Sequence, residues 1–288
     1  MMLVRIPIKW LTILLAIEIL GVETPEVMSA ELASKTVEAF DRYVQLTEAR
    51  INGEVSQTDK FLYLDGLAPP RRSEVLAALK RGEIFMEPLQ TLDASGQKME
   101  APDAIIHHWL GAVFVPGANL QQTIALMQDY NRHQDIYKPE VVRSLLLSRT
   151  GNDFQIYYRL RKKKVITVTL NTYHDVHYFP LDPTRWYSRS YSTRIAEVVN
   201  ADTPNEHEKP VGHDGGFLWR INSYWKFEEK DGGVYIECES ISLTRDIPTG
   251  LGWLIKPFVT SIPKESLEMT MGSTRSALAA ASKGNSRQ

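Results

Sequence analysis

The sequence predicts an α+β fold in which a curved antiparallel β-sheet wraps around a long C-terminal α-helix, with an extra N-terminal helical segment. Three features carry that prediction. Strand-like runs separated by turn residues follow one another from Ala104 onward. One apolar stripe at helical spacing closes the chain, and helical stretches precede residue 92.

Ser34 to Ile51 sets Ala39, Phe40, Tyr43, Val44, Leu46 and Ile51 broadly at helical spacing, and Gly53 is expected to stop that helix. Phe61 to Leu64 reads as a short extended piece and Gly66 to Pro70 as a turn. Arg72 to Lys80 carries Val75, Leu76 and Leu79 on one helical face and ends at Gly82. Ile84 to Leu92 has strand character, and Asp93 to Gly96 supplies turn chemistry.

Ile105 to Val115 is the first long strand, ended by Pro116-Gly117. Asn119 is a helix cap for Leu120 to about Tyr130. Strand-like runs then cover Val141 to Arg149, Phe154 to Arg161, Val165 to Phe179 (closed by Pro180) and Trp186 to Val199. After a long loop from Ala201 to Gly216, Phe217 to Glu229 turns through Lys230-Asp-Gly-Gly233 into Val234 to Arg245. Pro248 to Pro257 reads as a loop. Ser261 caps a last helix in which Leu267, Met271, Thr274 and Leu278 form one stripe to about Ala281. The last few residues to Gln288 are expected to be a disordered tail.

A meander of antiparallel strands must bury one face, and a helix with a single apolar stripe suits that task. A bent sheet around one helix leaves interior volume that can hold a ligand. The order strand, helix, meander, long helix resembles that of the START-like, Bet v 1-like (SRPBCC) helix-grip superfamily. The segment from Gly232 through Ile247-Pro248 to Trp253, Pro257 and Pro263-Lys-Glu-Ser-Leu267 is similar to the last strand and helix of bacterial START-like proteins. The resemblance covers about Ala101 to Ser282. It divides the chain into residues 1–30, an N-terminal extension 31–100, a helix-grip domain 101–282 and the tail 283–288. It implies a hydrophobic small molecule or lipid as partner, since members bind lipids, sterols or quinones; some are cyclases or hydrolases. Fold analogy alone does not transmit function.

Composition narrows the field. The chain has 288 residues, 43% hydrophobic and 24% charged, with net charge −2, so nothing electrostatic calls for nucleic acid. The basic run Arg159 to Lys164 falls between two strands and reads as a solvated hairpin tip. Cys238 is the single cysteine, which excludes an intrachain disulfide and a thiolate metal cluster. Arg5 and Lys9 precede the apolar run Trp10 to Ile17, and Ser29-Ala30 follow; that pattern describes a signal peptide or an uncleaved N-terminal anchor. The expected location is therefore periplasmic or secreted, with transient membrane contact open.

Candidate ligand-binding residues come from strand periodicity. Tyr158, Trp219, Trp225 and Phe227 fall on apolar faces expected to look toward the C-terminal helix. Glu237, Glu239 and Arg245 share a face with Tyr235, Ile241 and Leu243. Either that face looks into the cavity, where two carboxylates and an arginine could orient a ligand or act as acid and base, or it looks outward and pairs with Arg220, Asn222 and Lys226. His107 and His108 are adjacent in a strand and point to opposite faces, so they cannot chelate one ion together. One inward histidine, His108 or His174, is expected to hydrogen-bond a ligand. No metal site, cofactor or catalytic motif is expected, since no phosphate loop, nucleophile elbow or HExxH occurs. The leading expectation is an exported carrier of a hydrophobic molecule. The alternatives are a START-like enzyme, or a partner-binding protein docking through Ser34 to Leu92.

Overall fold

The computed structural model describes residues 30–164, 166–246 and 261–285. The apolar N-terminal run and the Pro248 to Pro257 loop lie outside these residues.

A two-residue strand β1 (Ala30–Glu31) leads into helix α1 (Ser34–Val55), a 3-10 turn (Tyr63–Gly66) and helix α2 (Pro69–Lys80). Strands β2 (Phe85–Pro88) and β3 (Ala104–Pro116) follow, then α3 (Leu120–Gln128) and the single turn α4 (His133–Ile136). The meander consists of β4 (Val141–Thr150), β5 (Asp153–Lys163), β6 (Thr167–Asp182) and β7 (Arg185–Val199). Two short strands, β8 (His207–Glu208) and β9 (His213–Asp214), interrupt the long loop. The hairpin β10 (Arg220–Lys230) and β11 (Gly233–Arg245) precedes the C-terminal helix (Ile262–Asn285). One nine-stranded antiparallel sheet has the order β2-β3-β11-β10-β7-β6-β5-β4, with β8 attached to β7; β1 pairs separately with β9. Local hairpins account for most of this order, and β11 returns to lie beside β3.

The β10–β11 turn forms because Asp231 (φ 58°) and Gly232 (φ 74°) both take the left-handed conformation that a two-residue turn matching strand twist requires. Asn119 caps α3 as expected, accepting from the Gln122 N–H at 2.8 Å.

Several boundaries differ from expectation, each for a local reason. Gly53 does not stop α1, which runs on to Val55. A helical glycine costs only about 1 kcal/mol, and Glu54 ties the last turn down through Arg50 and Lys226. Phe61 to Leu64 leads into a 3-10 turn rather than an extended piece, because the Glu237 carboxylate accepts from the N–H groups of Tyr63 (2.8 Å) and Leu64 (3.0 Å). Pro180 does not close β6; it sits opposite Trp186 beside an irregularity, where a missing N–H costs little. The strand expected over Ile84 to Leu92 shrinks to Phe85–Pro88, and the last helix continues past Ala281 to Asn285.

Both faces of the sheet are covered. On one side Leu267, Met271 and Leu278 of the C-terminal helix pack on Val113, Val115, Phe227 and Ile236. On the other, Phe40, Tyr43, Val44 and Ile51 of α1 pack on Tyr224, Ile241 and Leu243. The segment from the 3-10 turn through α2 extends that second layer, with Phe61, Leu64 and Leu79 against Phe114 and Tyr235. No helix among the described residues is long and apolar enough to cross a membrane.

Candidate functional site

A cavity of about 280 Å³ lies between the sheet and the C-terminal helix. Its floor is the inward face of β11, β10, β7, β6 and β5; its cover is Ile262, Leu267, Met269 and Thr270, with Met127, Tyr130, His133 and Tyr137 from the α3–α4 region. Apolar and aromatic groups dominate, with a few polar atoms, which is the usual make-up of a small-molecule site.

Three of the sequence-derived candidates stand on the cavity wall. Trp225 presents its ring from β10, and Tyr158 and His174 face one another from β5 and β6, ring centroids 5.8 Å apart. Phe227 faces the same side but is fully buried behind Trp225, stacked at 6.1 Å, and fills core instead of lining space.

The remaining candidates lie elsewhere. Trp219 precedes the regular part of β10, where the Asp214 carboxylate accepts from its Nε1 at 3.0 Å and holds the ring in the α1 layer. Arg245 turns toward the Gly215–Gly216 loop, donating from Nη1 to the Gly215 carbonyl at 3.2 Å. Glu237 and Glu239 face neither the cavity nor solvent. They lie under the N-terminal layer, only 1% and 3% exposed. Glu239 accepts from His108 Nε2 at 2.6 Å and is ion-paired with Arg50 of α1. His108 Nδ1 accepts from the Tyr43 hydroxyl at 2.8 Å, whose oxygen accepts from the Thr91 N–H at 2.9 Å. His108 is thus spent on a polar clasp that fastens α1, and its neighbour His107 is the histidine that faces the cavity. The cause is the period of two: Lys226, Glu237 and Glu239 share the outward face with Tyr224 and Ile241, and α1 together with the 3-10 turn after it covers all of them.

Burial raises the Glu237 pKa to about 7, against Lys226 and the two backbone N–H groups that favour its charge. Burial acts on Glu239 in the same sense, but the His108 hydrogen bond, Arg50 and Lys226 outweigh it and hold its pKa below the ordinary value. In the cavity burial keeps the histidines neutral, lowering His107, His133 and His174 to about 4. It also raises Tyr130, Tyr158 and Tyr178, and pushes Tyr137 up to about 12. Lys162 is ion-paired with Glu140 at the cavity edge, and burial lowers its pKa to about 8. No cluster of three metal-ligating side chains occurs among the described residues.

Sequence reasoning missed His107, His133 and a set of serines. Ser188, Ser190, Ser223, Ser240 and Ser242 all line the cavity. The signal was there to find: serine recurs at every second place on strands that become neighbours, alternating with Tyr187, Arg189, Tyr224, Glu239 and Ile241.

No family model matches the chain, and no curated protein matches it. Among solved structures, TTHA0849 from Thermus thermophilus is 15% identical, with TM-score 0.43, 60% of this chain and 97% of that one covered. The STAR-related lipid transfer protein from Xanthomonas axonopodis is 15% identical, with TM-score 0.41 and coverages of 69% and 98%. Human STARD10 is 8% identical, with TM-score 0.43 and coverages of 77% and 86%. The chain's own strand order, with β11 returning beside β3 and the last helix lying over the cavity, decides the architecture. It is a helix grip. In this helix grip the cavity occupies the space between sheet and gripped helix, and the N-terminal layer seals the sheet's other face.

Proposed function

We propose that the protein binds and carries a compact hydrophobic molecule in the helix-grip cavity. The observation that carries this reading is a cavity with an apolar, aromatic wall whose histidines and tyrosines are held neutral. Such a wall favours apolar surface through desolvation and offers no strong charge to a polar ligand. An acid–base enzyme is the weaker reading, because Glu237, Glu239 and Arg245 lie on the far side of the sheet. Ser34 to Leu92 as a docking element for another protein is also weaker, since α1 and α2 spend their apolar faces on the chain's own sheet. We propose further that Arg5, Lys9 and the run Trp10 to Ile17 direct export, which would place the carrier in the periplasm or outside the cell.

Native mass spectrometry of gently purified protein tests the carrier reading. An adduct that dissociates on denaturation, together with a rise in melting temperature on adding naphthalene, is the expected result. Adduct-free protein whose melting temperature ignores every hydrophobic probe would overturn it.

A further inference from the structure

We infer that the cavity selects an uncharged ligand carrying a hydroxyl or carbonyl group along one edge, held by a row of serines that crosses three strands. The inference rests on the carrier reading above and specifies the chemistry of what is carried. Ser190 of β7, Ser223 of β10 and Ser240 of β11 are direct register partners on the cavity floor. Neighbouring strands lie about 4.8 Å apart, so the row presents three hydroxyls over about 10 Å.

An independent observation points to a ligand there. Ser188 lies one inward position along β7, between Tyr178 and Trp225, and is 1% exposed. It lines the cavity, yet its hydroxyl has no hydrogen-bond partner. A buried hydroxyl left unpaired costs free energy that a ligand oxygen would recover.

Several other polar groups of the wall are already engaged. Tyr158 is hydrogen-bonded to His133 Nδ1 at 2.6 Å, Tyr130 to Tyr178 at 2.8 Å, and Tyr137 to Thr274 at 3.1 Å. His107 Nε2 is within 3.0 Å of Thr244 Oγ1, and His174 Nε2 within 3.0 Å of Thr172 Oγ1. The serines of the row can each donate and accept, whereas the indole N–H groups of Trp109 and Trp225 on the same wall can only donate.

Charge decides the rest. Among the described residues the lining contains one lysine, Lys162 on β5, which is paired with Glu140 and separated from the serine row by β6. A carboxylate or phosphate at the row would be desolvated with no cation beside it. The facing wall of Met127, Ile262 and Leu267 takes the apolar edge of the same molecule.

Three probes that share one ring system test this by calorimetric titration of the full chain: 2-naphthol, naphthalene and 2-naphthoate. Naphthol is expected to bind about tenfold tighter than naphthalene, and naphthoate more weakly than naphthol by at least as much. In the double variant Ser188→Ala/Ser223→Ala the preference for naphthol over naphthalene should fall to about twofold, and an unchanged near-ultraviolet circular dichroism spectrum reports an intact fold. Equal binding of all three probes, or an unchanged naphthol preference in the variant, would overturn the serine row and leave a hydrophobic carrier standing. Failure of all three to bind would remove the carrier reading together with it.

Discussion

Replacing Glu239 with Ala removes the shared acceptor of His108 Nε2 and the Arg50 guanidinium; Arg50 keeps Glu54, whereas His108 is left buried beneath α1 without its carboxylate. Breaking a buried pair in this way costs about 3 kcal/mol, and urea denaturation should register it while naphthalene affinity stays unchanged, because the clasp lies on the other side of the sheet from the cavity. Acid should act through the buried histidines. Their folded pKa values are lowered from 6.5 to about 4, so the stability that neutral His107, His133 and His174 supply is complete above 6.5 and lost as pH falls toward 4. Each contributes roughly 3 kcal/mol by this linkage. Glu237 has the opposite sign: its pKa, raised from 4.5 to about 7, makes stability fall as pH rises through that interval, which offsets one histidine. The expected net result is lower stability at pH 4.5 than at pH 7, and His174→Phe should make that pH dependence shallower. A stability that stays level down to pH 4 in the unmodified chain would contradict it.

Elements are placed by close approach as much as by pattern. Gly111 of β3 lies where the C-terminal helix meets the sheet, and a Cβ there would stand 2.8 Å from Met271 Cγ and 3.2 Å from Leu267 Cγ. Gly111→Ala should push that helix outward at a cost of about 1–3 kcal/mol, visible as a lower melting temperature. The α1 layer is held by apolar burial beneath its polar clasp. Phe40→Ala opens a cavity against the α1-facing side of the sheet and should cost about 3–5 kcal/mol, measured by the same denaturation. The inward face of β10 carries Ile221, Ser223 and Trp225, all half-buried because they border the cavity, while Asn222, Tyr224 and Lys226 beneath α1 are fully buried. The covered outer face is the drier one.

For the whole molecule the arrangement is three layers: the N-terminal helices, the sheet, and the C-terminal helix with the cavity beneath it. Sealing the outer face removes a large apolar surface from water and leaves the interior of the grip as the place where a ligand can be held. Export belongs to this scale as well. Expression of the whole chain in a bacterial host should yield protein outside the cytoplasm whose intact mass begins at Glu31. Protein retained in the cytoplasm with Met1 in place would refute that proposal.

Much of the architecture was legible because it depends on local signals. The alternation in Phe154 to Arg161, the turn at Asp231-Gly232 and the stripe Leu267, Met271, Thr274, Leu278 each specify an element through the period of its own backbone. The same periodicity grouped Glu237, Glu239 and Arg245 on one face of β11. It could not say which layer that face meets, because exchanging inward and outward leaves the pattern unchanged. Only the tertiary structure decided it, by laying α1 across the outer face so that Arg50, Tyr43 and Glu54 satisfy the polar groups there. The serine row was invisible for a related reason: its members are scattered over Ser190, Ser223 and Ser240 and become one site through strand register alone. By itself, then, the sequence determined the elements and their faces. The contacts between layers decided which face holds charge for stability and which holds space for a ligand, since burial and pairing are properties of the assembled chain.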